Sequence, residues 1–116
     1  GSVKKPSGTC KSETVRLWIA GSASRAEEAL GEWCRLNGAC FSITPCTYVY
    51  SGGQEEGVEV GLINYPRFPK NRSEMLQRMR QVGELLCVRL NQRSYTIDDG
   101  HTTEWYSETL AFEDHK

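Results

Sequence analysis

The chain has 116 residues, with 14 Lys plus Arg against 15 Asp plus Glu and a formal net charge of −1, which fits one domain able to bury a core without metal or disulfide staples. Apolar residues make up 38% and charged residues 25%, the balance of an ordinary globular protein. That charge argues against a general nucleic-acid binder, whose affinity comes from neutralising phosphates. No apolar run approaches the roughly 18 to 20 residues of a membrane span.

Residues 1–13 are polar and rich in Lys, Ser, Gly and Pro. They read as a flexible arm, with Gly1-Ser2 resembling a cloning remnant. Residues 14–116 read as a single α+β domain. No charged-then-apolar leader opens the chain, so the expected location is the cytoplasm. TVRLWIA (14–20) alternates, with Val15, Leu17 and Ile19 on one side and Arg16 and Trp18 on the other, which predicts a strand. Ser24-Arg25-Ala26-Glu27 has the S-x-x-E form of a capping box. Ala26, Ala29, Leu30, Trp33 and Leu36 follow at helical spacing, and Asn37-Gly38 is a stop, so a helix is expected over 25–37.

CFSITPCTYVY (40–50) is β-branched and aromatic, and its internal Pro45 predicts an edge strand or a bulge. SGGQEEG (51–57) reads as a turn and VEVGLINY (58–65) as the returning, central strand of a hairpin. The PRFP loop follows. Asn71-Arg72-Ser73-Glu74 then opens a second helix, with Leu76, Met79, Gly83, Leu86 and Leu90 marking its apolar stripe over 72–91. SYTIDD (94–99) and TTEWYSE (102–108) predict a second hairpin around Gly100, while LAFEDHK is ambiguous. The order β-α-β-β-α-β plus one strand is ferredoxin-like: two helices on one face of an antiparallel sheet.

Five cysteines (10, 34, 40, 46 and 87) are odd in number and show no C-x-x-C spacing, and there are only two histidines. Reduced thiols used as small apolar residues are expected, with no metal and no cofactor. Asp98-Asp99, Glu55-Glu56 and His101 fall in predicted turns and read as solvated groups. The fingerprints of nucleophile elbows, zincins, phosphate loops and dinucleotide folds are missing, so no catalytic residue is assigned.

GLINYPRFP (61–69) carries the candidate site. If strands one and three run parallel, their C-terminal ends sit together and two helix N-termini converge, as suits an anion. The expected contact region is Gly21, Ser22, Asn64, Tyr65, Arg67 and Phe68. Asn64 would supply hydrogen bonds, Arg67 a charge-assisted contact, and Tyr65 and Phe68 aromatic anchors. The prolines would hold the loop rigid. Trp18, Tyr48 and Ile63 are expected on the sheet face away from the helices, as a dimer interface or a face covered by the C-terminal tail rather than an RNA platform.

RLWIAGS (16–22) resembles the first strand and loop of nucleoside deoxyribosyltransferase-like proteins, which implies a nucleotide- or nucleoside-acting enzyme. The run TYVYSGGQEEGVEVGLINYPRFP is similar to small accessory proteins of phages and prophages, which implies a counter-defence factor. The main expectation is a non-enzymatic binding protein that occludes a host protein, as anti-CRISPR proteins do, or sequesters a nucleotide-like small molecule. The alternatives are a small nucleotide- or nucleoside-acting enzyme, with Glu27, Glu28 or Cys40 as conceivable reacting groups, and an ACT-like ligand-binding homodimer.

Overall fold

The computed structural model describes residues 3–67 and 69–108. Five strands and two helices follow one another: β1 Thr14–Ala20, α1 Ala23–Asn37, β2 Phe41–Tyr50, β3 Gly53–Ile63, α2 Arg72–Leu90, β4 Ser94–Asp98 and β5 Thr103–Ser107. The sheet order is β2-β3-β1-β4-β5, and every neighbouring pair is antiparallel. This is the α+β arrangement expected from the sequence, with β5 extending the edge beyond β4. No helix among the described residues is long and apolar enough to cross a membrane.

The alternation in β1 has the predicted consequence. Val15, Leu17 and Ile19 are buried, as are Val58, Val60 and Leu62 of β3 and Tyr95 and Ile97 of β4. Both helices close over that face through Ala26, Ala29, Leu30, Met75, Met79, Val82 and Leu86. One apolar layer therefore lies between helices and sheet, and among the described residues no element packs over the other sheet face.

Helix ends follow local chemistry. Ser22, not Ser24, caps α1: its hydroxyl accepts the Arg25 N–H at 3.4 Å, and the Ser24 hydroxyl lies 3.0 Å from it. The helix therefore starts two residues earlier than the S-x-x-E pattern predicts. Gly38 closes it in the left-handed region at φ +63°. Asn71 and Glu74 form a full capping box on α2.

Pro45 sits on edge strand β2 opposite Val58 with no break in register, because its missing N–H faces outward. The turn between β2 and β3 is only Ser51-Gly52, since Tyr50 already pairs with Gly53. Residues 53–57, predicted as turn, are strand. β1 reaches only to Gly57 of β3. The rest of the β2–β3 hairpin projects past the sheet as a two-stranded ribbon, with Val49 76% exposed.

Candidate functional site

The antiparallel register separates the expected contact region. Thr14 at the start of β1 faces Ile63 at the end of β3, and Ala20 faces Gly57. Gly21 and Ser22 therefore sit at one end of the sheet and Asn64, Tyr65 and Arg67 at the other, about 20 Å apart at ~3.4 Å per residue. Phe68 lies outside the described residues. Gly21 has a backbone role: φ is +130°, and any Cβ there would meet Leu90 at 2.3 Å. Ser22 is the α1 cap.

Asn64 is a latch. Its Nδ2 donates to the Lys11 carbonyl at 3.0 Å, and its Oδ1 accepts the Lys70 backbone N–H at 2.8 Å. Its backbone N–H donates to the Glu13 carbonyl at 3.1 Å. One side chain thus ties the N-terminal arm to the loop before α2. Two cavities flank it. One, of about 400 Å³, is bounded by Gly38, Cys40, Leu62, Ile63, Tyr65 and Met75, with Lys70 at its edge. The other is a polar cleft of about 770 Å³ that includes Lys11, Glu13, Lys70, Arg72 and Arg80.

The solvent face of the sheet carries a second centre. Cross-strand register puts Trp105, Thr96, Trp18, Glu59 and Thr44 in one row across all five strands. Tyr48 and Ile63 share that face, as the sequence predicted for them and Trp18. The outward positions of β3 read Gly53, Glu55, Gly57, Glu59, Gly61 and Ile63. Neighbours fold across these glycines: a Cβ at Gly57 would stand 2.0 Å from the Tyr48 ring, and one at Gly61 would stand 2.6 Å from the Ser42 hydroxyl. Glu59 stands between them with its side chain 30% exposed, 3.4 Å from the more exposed Arg16 guanidinium. A depression of about 190 Å³ beside Glu59 is lined by Thr14, Arg16, Ser42, Thr44, Gly61 and Ile63.

The Tyr48 hydroxyl donates to the Val58 carbonyl at 3.2 Å. Burial, the neighbouring Cys46 thiol and the Glu59 charge push this phenol up, so it stays protonated at neutral pH. The face therefore offers a carboxylate, a guanidinium and the π surfaces of Trp18, Tyr48 and Trp105, the last 52% exposed. Carboxylate and aromatic rings together are the chemistry that receives an organic cation. Glu59 and Arg16 were passed over in the sequence. Their signal was there in the alternation of VRLWIA and VEVG, which places one opposite-charge pair on the same outward face.

Several other acidic groups have structural partners. The Asp99 carboxylate accepts the N–H groups of His101 at 2.8 Å and Thr102 at 2.7 Å, and these bonds hold it below the usual carboxylate range. Asp98 accepts the Gly100 N–H at 2.8 Å. Glu28 lies 3.5 Å from Arg89 on the outer side of the helices, and Glu27 is exposed there. Arg80 clamps Glu104 at 3.0 Å and Tyr106 at 2.8 Å, fastening α2 to β5.

No protein-family model matches the chain, and no curated protein is significantly similar to it. Two solved structures share its fold from end to end. A phage SAM lyase in complex with S-methyl-5′-thioadenosine superposes with a TM-score of 0.59 at 10% identity, covering 97% of this chain and 99% of that one. A phage SAM lyase in the apo state gives 0.63 at 12% identity, covering 93% and 98%. At such identities the likeness establishes the fold. It also corrects the non-enzymatic reading of the sequence, because both of these neighbours are lyases, which favours the enzyme alternative.

Proposed function

We propose that this chain is a small enzyme of the nucleoside-acting kind that cleaves S-adenosylmethionine at a carbon–sulphur bond, releasing S-methyl-5′-thioadenosine. The observation that carries the reading is the end-to-end agreement with a phage lyase, one structure of which holds that thioether. The aromatic and charged centre on the open sheet face supports it independently, since the substrate is a sulphonium cation with an amino-acid tail.

The chemistry also explains why no acid–base pair stands out. A sulphonium carbon–sulphur bond breaks with its electron pair going to sulphur, so the departing group is a neutral thioether that needs no proton. In a lyase the four-carbon fragment replaces the lost bond from within: its own carboxylate oxygen closes a five-membered ring at the carbon that sulphur leaves. Atoms and charge balance without water. The protein need only hold a cation, fold its tail and exclude solvent. Glu59 is placed for the positive charge, Arg16 for the substrate carboxylate, and Trp18 and Tyr48 for the adenine face. Removal of a methyl donor, rather than occlusion of a host protein, is then the counter-defence action of a phage-type accessory protein. It takes place in the cytoplasm, where that donor is made.

The test is incubation of the purified protein with S-adenosylmethionine, followed by chromatography for the thioether and the lactone. Glu59→Gln removes a unit charge beside the cation. At an effective dielectric of about 20 and ~5 Å separation that is worth ~3 kcal/mol of attraction to the bound cation, so substrate affinity should weaken about a hundredfold and the rate at low substrate concentration should fall with it. No thioether from the parent chain, or an undiminished rate in Glu59→Gln with the fold intact, refutes the assignment.

A further inference from the structure

The apolar cavity at the Asn64 end of the sheet has no part in the reaction proposed above. Its walls are Leu62, Ile63, Met75 and the Tyr65 ring, with the Cys40 thiol at the rim. Its volume of about 400 Å³ falls within the roughly 300 to 1,000 Å³ of small-molecule sites.

Lys70 borders both this cavity and the polar cleft on the other side of the loop. Its backbone is held by Asn64, which fixes where the side chain starts. The other cations of the cleft have acidic partners: Lys11 with Glu13 at 3.6 Å, Arg72 with Asp99 at 3.7 Å and Arg80 with Glu104 at 3.0 Å. Among the described residues, the side chain of half-buried Lys70 makes no ion pair or hydrogen bond. A cation that borders an apolar hollow and has no acidic partner gains by meeting an anion there.

We propose that this cavity is a second ligand site, distinct from the cation-binding sheet face. Its ligand has a flat apolar body that enters between Leu62, Met75 and Tyr65, and one anionic headgroup, a carboxylate or sulphonate, that pairs with Lys70. The two sites then select opposite charges: the sheet face takes a cation and the end of the sheet takes an anion.

Two dyes of nearly the same shape test this by fluorescence titration of the intact chain. 8-Anilinonaphthalene-1-sulphonate carries the anion, and N-phenyl-1-naphthylamine lacks it. The parent protein should bind both at one site. Lys70→Met should weaken the sulphonate about tenfold or more, the effect of losing ~1.4 kcal/mol, and leave the neutral dye within about twofold. Ala39→Trp, which fills the hollow from its wall, should abolish both, and a melting curve shows that this variant is folded. Cys40→Phe serves the same purpose from the rim if Ala39→Trp is not. The proposal is overturned if the parent binds neither dye, if Lys70→Met weakens both equally or neither, or if the folded filling variant keeps both. None of these outcomes involves S-adenosylmethionine, so failure here is separate from failure of the lyase assignment.

Discussion

Gly57→Ala should damage the open-face centre through a single methyl group. That Cβ would stand 2.0 Å from Cε2 of Tyr48, 2.7 Å from Cδ2 and 2.9 Å from the Ile19 carbonyl oxygen. The ring can swing away, but the Ile19 oxygen belongs to the central strand and cannot. Overpacking of this kind costs about 1–3 kcal/mol. Displacing Tyr48 also loses its bond to the Val58 carbonyl, about 1 kcal/mol. Replacing a strand glycine returns at most about 1 kcal/mol. The net loss is about 2 kcal/mol, or ~8 °C in Tm for a domain of this size.

A double-mutant cycle in urea separates the ring from the backbone. Tyr48→Ala alone should cost about 1.5 kcal/mol through the lost hydrogen bond and half-buried ring. In the double variant the methyl group has room on the ring side and only the Ile19 contact remains, so the sum should fall short of additivity by about 1–2 kcal/mol. Release of the thioether should stay low in all three variants, because Tyr48 is misplaced or gone in each. Additivity within about 0.5 kcal/mol, or a stable and fully active Gly57→Ala, would refute the account of Gly57 as the seat of the Tyr48 ring.

Gly83→Ala tests the same logic inside a helix. Alanine is the better helix former by about 1 kcal/mol, yet its Cβ would meet the buried Tyr95 ring at 2.4 Å. That ring is stacked on Tyr106 and hydrogen-bonded to Glu84, so Tm should fall by several degrees, and a rise would show that the ring moves freely. Asn64→Ala should release the arm, and trypsin should cut after Lys11 several-fold faster with a stability loss of about 1–2 kcal/mol. Unchanged cleavage would show that the latch does not hold the arm. Asp99→Ala should cost about 2 kcal/mol at neutral pH. The folded-state pKa of Asp99 is depressed, so its contribution is fully present above the unfolded value near 4 and is lost as pH falls through the folded value. Urea melts of parent and variant should therefore converge in acid, and a gap that persists below pH ~2 would refute the charged role. The cleavage rate should be flat from about pH 6 to 9, since the proposed step moves no proton; a unit slope near neutrality would point to a general base instead.

Periodicity made most of the fold legible. Val15, Leu17 and Ile19 announced the core face of β1, and Asn71 with Glu74 announced the start of α2. Pro45 announced an edge strand, and β2 is one. Strand direction was the step that failed. The crossover through α1 makes β1 parallel to β2, but the hairpin then reverses β3, and β3 is the strand that pairs with β1. Reading β1 and β3 as parallel joined Gly21 to Asn64 across the length of the sheet. The use of Asn64 was illegible for another reason: its partners are the backbones of Lys11 and Lys70, one of them far along the chain, and no local pattern encodes them. The seven-residue turn failed because glycine marks turns in general, whereas in β3 it marks places where a neighbour lies across the strand.

Those glycines bear most directly on function. Three of five successive outward positions in β3 are glycine, each weakening the strand, and no described element packs over that face. A sheet selected for stability alone would place β-branched residues there. Glycine instead clears a floor on which Tyr48 lies flat and Glu59 stands apart. Glu59 is therefore reachable from solvent while its stem is fixed by the central part of the sheet. An enzyme whose leaving group needs no proton has little use for a histidine or a paired acid. The proposed reaction needs a rigid carboxylate and aromatic surface for a cation, and the Gly-Glu alternation in β3 offers both from the strand itself. Acid–base pairs do not mark this face, whereas the charge and the missing side chains along β3 make it the candidate site.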